Sequence, residues 1–222
     1  MEEKEKSEYD VYFIADLHLR HRNILKHQPN RVHAMGLKNE EDIDGHDQYI
    51  IDAWLDTVKR NDHVYVLGDM ILSSKQDSLK ILHNLKSKGC HIHLIVGNHD
   101  KSTQNMKNMF NSIDLIKVVD FKKSVFPFLD EDFCCVMCHY PLLSWPRKAH
   151  GSIMLHGHTH NNSPHENEGN DLRLNVGMDT PFANYQLISL EKIYTWYKGK
   201  LNGENPKDYI EKITKEDPKF IR

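Results

Sequence analysis

Nine residues in five short blocks carry oxygen and imidazole donors: Asp16-Leu17-His18, Gly68-Asp69, Gly97-Asn98-His99-Asp100, His139 and Gly157-His158-Thr159-His160. No thiolate stands among them. Hard oxygens mixed with borderline nitrogens suit Mn, Fe, Zn or Ni better than a soft ion. The set is too large for one tetrahedral ion and about sufficient for two. Two ions about 3.5–4 Å apart, joined by a carboxylate, can clamp the attacking and leaving oxygens of a displacement. The blocks differ in weight. Asp16-x-His18 alone is weak, because residues two apart on an extended segment share a face by default, and Gly68-Asp69 alone is a common turn. An amide beside an imidazole in Gly97-Asn98-His99-Asp100 exceeds what a turn needs. Gly157-His158-Thr159-His160 is stronger still, because it directly follows an apolar run.

Each block ends a run that reads as a buried strand: Asp10–Ala15, Asp62–Leu67, His91–Val96, Phe133–Cys138 and Ser152–His156. Further strands are expected around Leu172–Val176, Tyr185–Leu190 and Ile193–Tyr197 from their β-branched and aromatic content. Helical spacing joins Ile50, Ile51, Trp54, Leu55 and Val58, with Asp47 and Asp52 near the start, and again Leu79, Ile81, Leu82 and Leu85, closing at Gly89. Residues 20–44 read as a polar loop with one helical turn. Strands alternating with helices early and following one another late predict an α/β fold with mixed sheets. Such a fold gathers strand-end loops at one edge, where α/β proteins bind ligands.

With these blocks in this order, the chain resembles the calcineurin-like metallophosphoesterase superfamily, whose signature runs D-x-H, G-D, G-N-H-[DE], H and G-H-x-H. The stretches Asp16-Leu17-His18-Leu19-Arg20-His21-Arg22-Asn23-Ile24 and His139-Tyr140-Pro141-Leu142-Leu143-Ser144-Trp145 resemble its bacterial and phage branch. The resemblance implies two packed mixed sheets flanked by helices, an αββα sandwich. It implies a binuclear centre, with manganese favoured, in which Asp16, His18, Asp69 and His160 hold one ion. Asp69 would bridge to the second, completed by Asn98, His139 and His158. A metal-bridging hydroxide would then attack phosphorus. His99 would protonate the leaving oxygen, and Asp100 would hydrogen-bond and orient His99. His21 and Asn23 follow the first block closely enough to touch a bound phosphate.

The chain departs from the protein phosphatases of that superfamily, which continue the second block as G-D-x-x-D-R. Here it reads Gly68-Asp69-Met70-Ile71-Leu72-Ser73, without the arginine that clamps phosphate. Arg20 stands where the branch more often has glycine. The leading expectation is therefore a phosphodiesterase for a small molecule or nucleotide. Phosphomonoesterase and nuclease are the alternatives within the superfamily. A non-catalytic scaffold is disfavoured because every expected ligand is present.

Composition bounds the rest. The 222 residues suggest one domain over 1–222, with a charged peripheral tail from about 199. A net charge of -3, without basic clusters interleaved with aromatics, argues against extended nucleic-acid contact. No apolar run is long enough to span a membrane, and Met1–Glu8 lacks an apolar leader core. A cytoplasmic protein is expected, with four reduced core cysteines. Cys135 and Cys138 have C-x-x-C spacing, yet residues three apart on a strand face opposite sides. Among the remaining histidines, His91 and His93 are expected to be satisfied or semi-exposed, and His156 is unassigned. His27, His33, His46, His63, His83, His150 and His165 are expected at the surface. Trp145 and Arg147 are candidates for a substrate rim, with core packing the alternative for Trp145.

Overall fold

The computed structural model describes residues 7–162 and 171–204. Two mixed sheets pack face to face, flanked by helices. The first sheet contains β1 (Val11–Ile14), β2 (His63–Val66), β3 (His91–Ile95) and β4 (Ser112–Asp114), all parallel. The second contains β5 (Ile116–Phe121), β6 (Phe133–Cys138), β7 (Ile153–His156) and β8 (Arg173–Asn175) in that order, antiparallel only between β5 and β6. The two-residue β9 (Ile188–Ser189) completes the first sheet, antiparallel to β1, in the order β4-β3-β2-β1-β9.

Strand alternation divides the core. Phe13, Tyr65, Phe133, Cys135, Met137, Ile153 and Leu155 meet between the sheets. Ile14, Val64, Val66, Ile92 and Leu94 face the opposite way, toward two helices. One is α3 (Ile43–Thr57), which buries His46, Asp47, Ile50, Ile51 and Trp54 on one stripe. The other is α4 (Lys75–Leu85), where the Ser74 hydroxyl accepts from the Asp77 amide as an N-cap. The Trp54 indole N–H donates to the Leu85 carbonyl and ties the two together. Cys135 lies between the sheets and Cys138 on the outer face with Val136, Trp145 and Met154, so opposite facing holds; all four cysteines are free.

Several expectations change. Residues 20–44 contain two short helices, α1 (Ile24–His27) and α2 (Asn30–Ala34), rather than one turn. The strand expected at Ile193–Tyr197 is helical: α5 runs from Leu190 to Leu201, with the Ser189 hydroxyl accepting from the Lys192 amide. Leu190, Ile193, Tyr194 and Tyr197 bury one helical face, so apolar period overrides β-propensity. The tail expected from 199 therefore begins inside a helix; residues 205–222 and His165 lie outside the described residues. Trp145 is a core residue whose indole donates to the Ser152 carbonyl, the packing alternative, and Arg147 pairs with Asp120 at 2.6 Å on the surface. No helix among the described residues is long and apolar enough to cross a membrane.

His63 belongs to a cluster rather than to open surface. Its Nδ1 lies 3.0 Å from His93 Nε2, and His93 Nδ1 lies 3.0 Å from the Ser112 hydroxyl. Burial, then His63 and Lys117, lowers the His93 pKa to about 4. The unfolded value of about 6.5 is higher, so the unfolded chain binds the proton first. Stability from His93 is thus present above pH of about 6.5 and lost as pH falls toward 4. In the metal-loaded protein, His93→Gln should flatten the acid limb of the unfolding free energy plotted against pH by on the order of 2 kcal/mol. An unchanged limb would assign the acid sensitivity elsewhere.

Candidate metal centre

The five blocks converge at the carboxyl ends of β1, β2, β3, β6 and β7. Gly68 has φ +89°, and a Cβ there would meet the His139 ring and lie 2.9 Å from the Gly97 Cα. Gly97 in turn leaves room for Asp69, whose backbone nitrogen would lie 2.7 Å from a Cβ. These two glycines let three loops close on one another. Five of the expected ligands, Asp16, His18, Asp69, His158 and His160, also take positive φ, between 49° and 73°. Each such non-glycine conformation costs about 1 kcal/mol or more and persists only where surrounding bonds enforce it.

Asp16, His18 and His160 bring ligand atoms within 4.8 Å of one another, as do Asp16, Asp69 and His139. Asp69 Oδ2 lies 3.6 Å from His18 Nε2 and 3.5 Å from His139 Nε2, between the two groups. Asn98 Oδ1 lies 3.1 Å from His139 Nε2 and 3.1 Å from His158 Nδ1. His139 donates Nδ1–H to the Leu67 carbonyl at 2.8 Å, which leaves Nε2 facing the cluster. Both ring nitrogens of His18 are buried without a hydrogen-bond partner. Buried carboxylates, an amide oxygen and imidazoles, that of His18 with neither nitrogen bonded, fit divalent transition ions.

Electrostatics tell the same story. Burial raises the Asp16 carboxyl to about 6, against the opposing pull of His160 and His139. Burial, followed by the Arg31 charge, holds His18 far below the usual histidine range. Burial and His99 lower His21, and burial and His139 lower His158. At His160 burial opposes protonation, but the Asp179 hydrogen bond and the Asp16 charge outweigh it and raise the pKa. Burial, with a smaller contribution from the Asp69 charge, is what raises Asp16, and a cation held beside it would favour the charged form.

The substrate-side residues divide. His21 is brought in, with its ring 5.3 Å from His18 and 5.8 Å from His99. Asn23 is not: it is exposed at the start of α1 and makes no hydrogen bond to the cluster. His99 is half-buried beside His18, with ring centroids 5.4 Å apart, and its backbone N–H donates to Asp69. Asp100 departs from its expected role. It is fully buried, and its carboxylate accepts from the amides of Asp69, Met70 and Gly97, with no hydrogen bond to His99. Bonded to backbone amides of both segments, it fastens the Asp69 loop to the Asn98 loop.

Four residues escape sequence reasoning: Arg31, His46, Asp47 and Asp179. His46 is fully buried rather than exposed. Its spacing with Ile50 and Trp54 on one helical stripe was the available signal. For Arg31 and Asp179, 148 residues apart, no local signal exists.

A two-sheet α/β scaffold whose strand ends bring Asp, His and Asn donors together is the arrangement a metal-dependent phosphoesterase needs. Residues 43–189 match the calcineurin-like phosphoesterase superfamily domain, and the chain belongs to that superfamily. It is 29% identical over 184 residues to the uncharacterized protein MJ1445 of Methanocaldococcus jannaschii, covering 82% of this chain and 88% of the relative. It is 22% identical over 204 residues to the Gene 66 protein of Mycobacterium phage L5, covering 83% and 92%. The crystal structure of AQ665 from Aquifex aeolicus, a protein of unknown function, superposes with a TM-score of 0.63 at 23% identity, over 84% of this chain and 98% of that one. This last likeness speaks to the fold.

Proposed function

We propose that the protein is a cytoplasmic phosphodiesterase for small-molecule or nucleotide diesters, working with two ions, manganese preferred. Asp16, His18, Asp69 and His160 would hold one, and Asp69, Asn98, His139 and His158 the other. Bound there, such ions polarise phosphoryl oxygens and lower the pKa of water. His99 would donate a proton to the leaving oxygen, and His21 would contact a non-bridging oxygen. Asp100 and the Leu67 carbonyl keep Asp69 and His139 in place. The four free cysteines support a reducing compartment.

The observation that carries the diester reading is where the arginines go. Arg20 is bonded to Asp44 and Asp47, Arg31 is buried on Asp179, and Arg147 is on Asp120. Arg22, beside His21, is exposed and makes no ion pair among the described residues, so it is the one cation of the four that could reach a substrate. Beside the cluster stand imidazoles, His21 and His99. A monoester approaches a dianion at neutral pH and gains from a cationic clamp; a diester carries one charge and needs less. The manganese-loaded protein should therefore show a higher kcat/KM for bis(p-nitrophenyl) phosphate than for p-nitrophenyl phosphate at the same pH. A clear monoester preference would overturn the substrate class. Hydrolysis of neither would overturn the enzymatic reading.

A further inference from the structure

Arg31 is fully buried and spends its guanidinium on five acceptors. Nε and Nη2 donate to the two oxygens of Asp179 at 2.7 and 2.6 Å. Nη2 also donates to the Asp16 carbonyl at 2.7 Å, and Nη1 to the Leu17 carbonyl at 3.1 Å. Nη1 lies 2.9 Å from His46 Nε2. His46 Nδ1 lies 3.0 Å from Asp47, whose carboxylate accepts the Arg20 backbone amide at 3.1 Å. On the far side, His160 Nδ1 lies 2.6 Å from Asp179 Oδ2.

We infer that Arg31, Asp179 and His46 are positioning residues: a buried brace that aims Asp16, His18 and His160 and so sets affinity for the first ion. Asp179 accepts the His160 Nδ1–H, which fixes the tautomer and leaves the Nε2 lone pair for coordination. Arg31 holds the carbonyls of Asp16 and Leu17, and Asp47 holds the amide of Arg20. Asp16, His18 and Arg20 take φ of 60°, 51° and 64°, alternate left-handed residues that would relax without outside bonds. One fork therefore aligns ligands from opposite ends of the chain. The planar guanidinium supplies all these directions at once; a lysine ammonium cannot. The inference rests on the reading of Asp16, His18 and His160 as ligands and is independent of the substrate class.

The test is calorimetric titration of the metal-free full chain with Mn²⁺, paired with imidazole nitrogen–proton spectra of His160. Asp179→Ala should weaken first-ion binding on the order of 10–100-fold and erase the Nδ1–H preference of His160. His46→Gln keeps an acceptor for Arg31 and a donor for Asp47, so it should retain parent affinity where His46→Leu loses it. Should removing one charge prevent folding, Arg31→Met combined with Asp179→Leu removes both and leaves no unpaired buried charge. That double variant should melt cooperatively and still bind Mn²⁺ more weakly. A folded double variant with parent affinity and parent His160 resonances would overturn the brace. A parent that binds Mn²⁺ but hydrolyses neither ester would overturn the proposed function and leave the brace standing.

Discussion

Asp69→Asn is expected to lose bound metal and to cut hydrolysis about 10³-fold or more, with its fold retained. Asp69 Oδ2 sits between His18 and His139, while Oδ1 accepts the His99 amide at 2.8 Å. An asparagine oxygen can still accept that backbone bond, so the loop is kept. The charge that offsets two cations is not. Lewis-acid stabilisation is worth several kcal/mol, and each ~1.4 kcal/mol is tenfold in rate. Elemental analysis of the purified variant beside its turnover of bis(p-nitrophenyl) phosphate reads both effects. Full activity with fewer than two ions would sink the binuclear proposal.

His99→Ala separates proton delivery from metal binding. The His99 ring lies beside His18 and His21 but outside both donor groups that could hold an ion. Removing a general acid costs about 10²–10⁴-fold in turnover. The metal content should match the parent. The loss should be largest for an alkyl leaving group and shrink for nitrophenolate, which departs without a proton. A variant that loses metal instead would make His99 a ligand. A uniform loss across leaving groups would reassign it to binding.

What the chain discloses about itself follows from distance along it. The strand-end blocks are legible because donors two or three residues apart, after an apolar run, are a local pattern. Their meeting in space follows from α/β architecture, which delivers strand ends to one edge. Asp100 shows where this reasoning stops: its neighbour in sequence, His99, is not its partner, and three amides from two loops are. The strands Ser112–Asp114 and Ile116–Phe121 carry little sequence signal, because one is three residues long and the other mixes Lys and Asp into an edge with exposed Ile116 and Val118. The segment Ile193–Tyr197 carries the aromatic and β-branched content of a strand, but its apolar period is that of a helix, and the period decides. Arg31 reads as one more polar loop residue until Asp179 is placed beside it.

The left-handed backbone at Asp16, His18, Asp69, His158 and His160 sets stability and activity against each other. Glycine adopts that conformation freely, whereas aspartate and histidine hold it at a steric cost that only a ligand role offsets. Thermostabilising drift in a lineage released from catalysis would therefore erode these residues first, and the scaffold would outlive its chemistry. A search for more robust forms of the active protein must exclude these positions and look for gains on surfaces far from the strand ends.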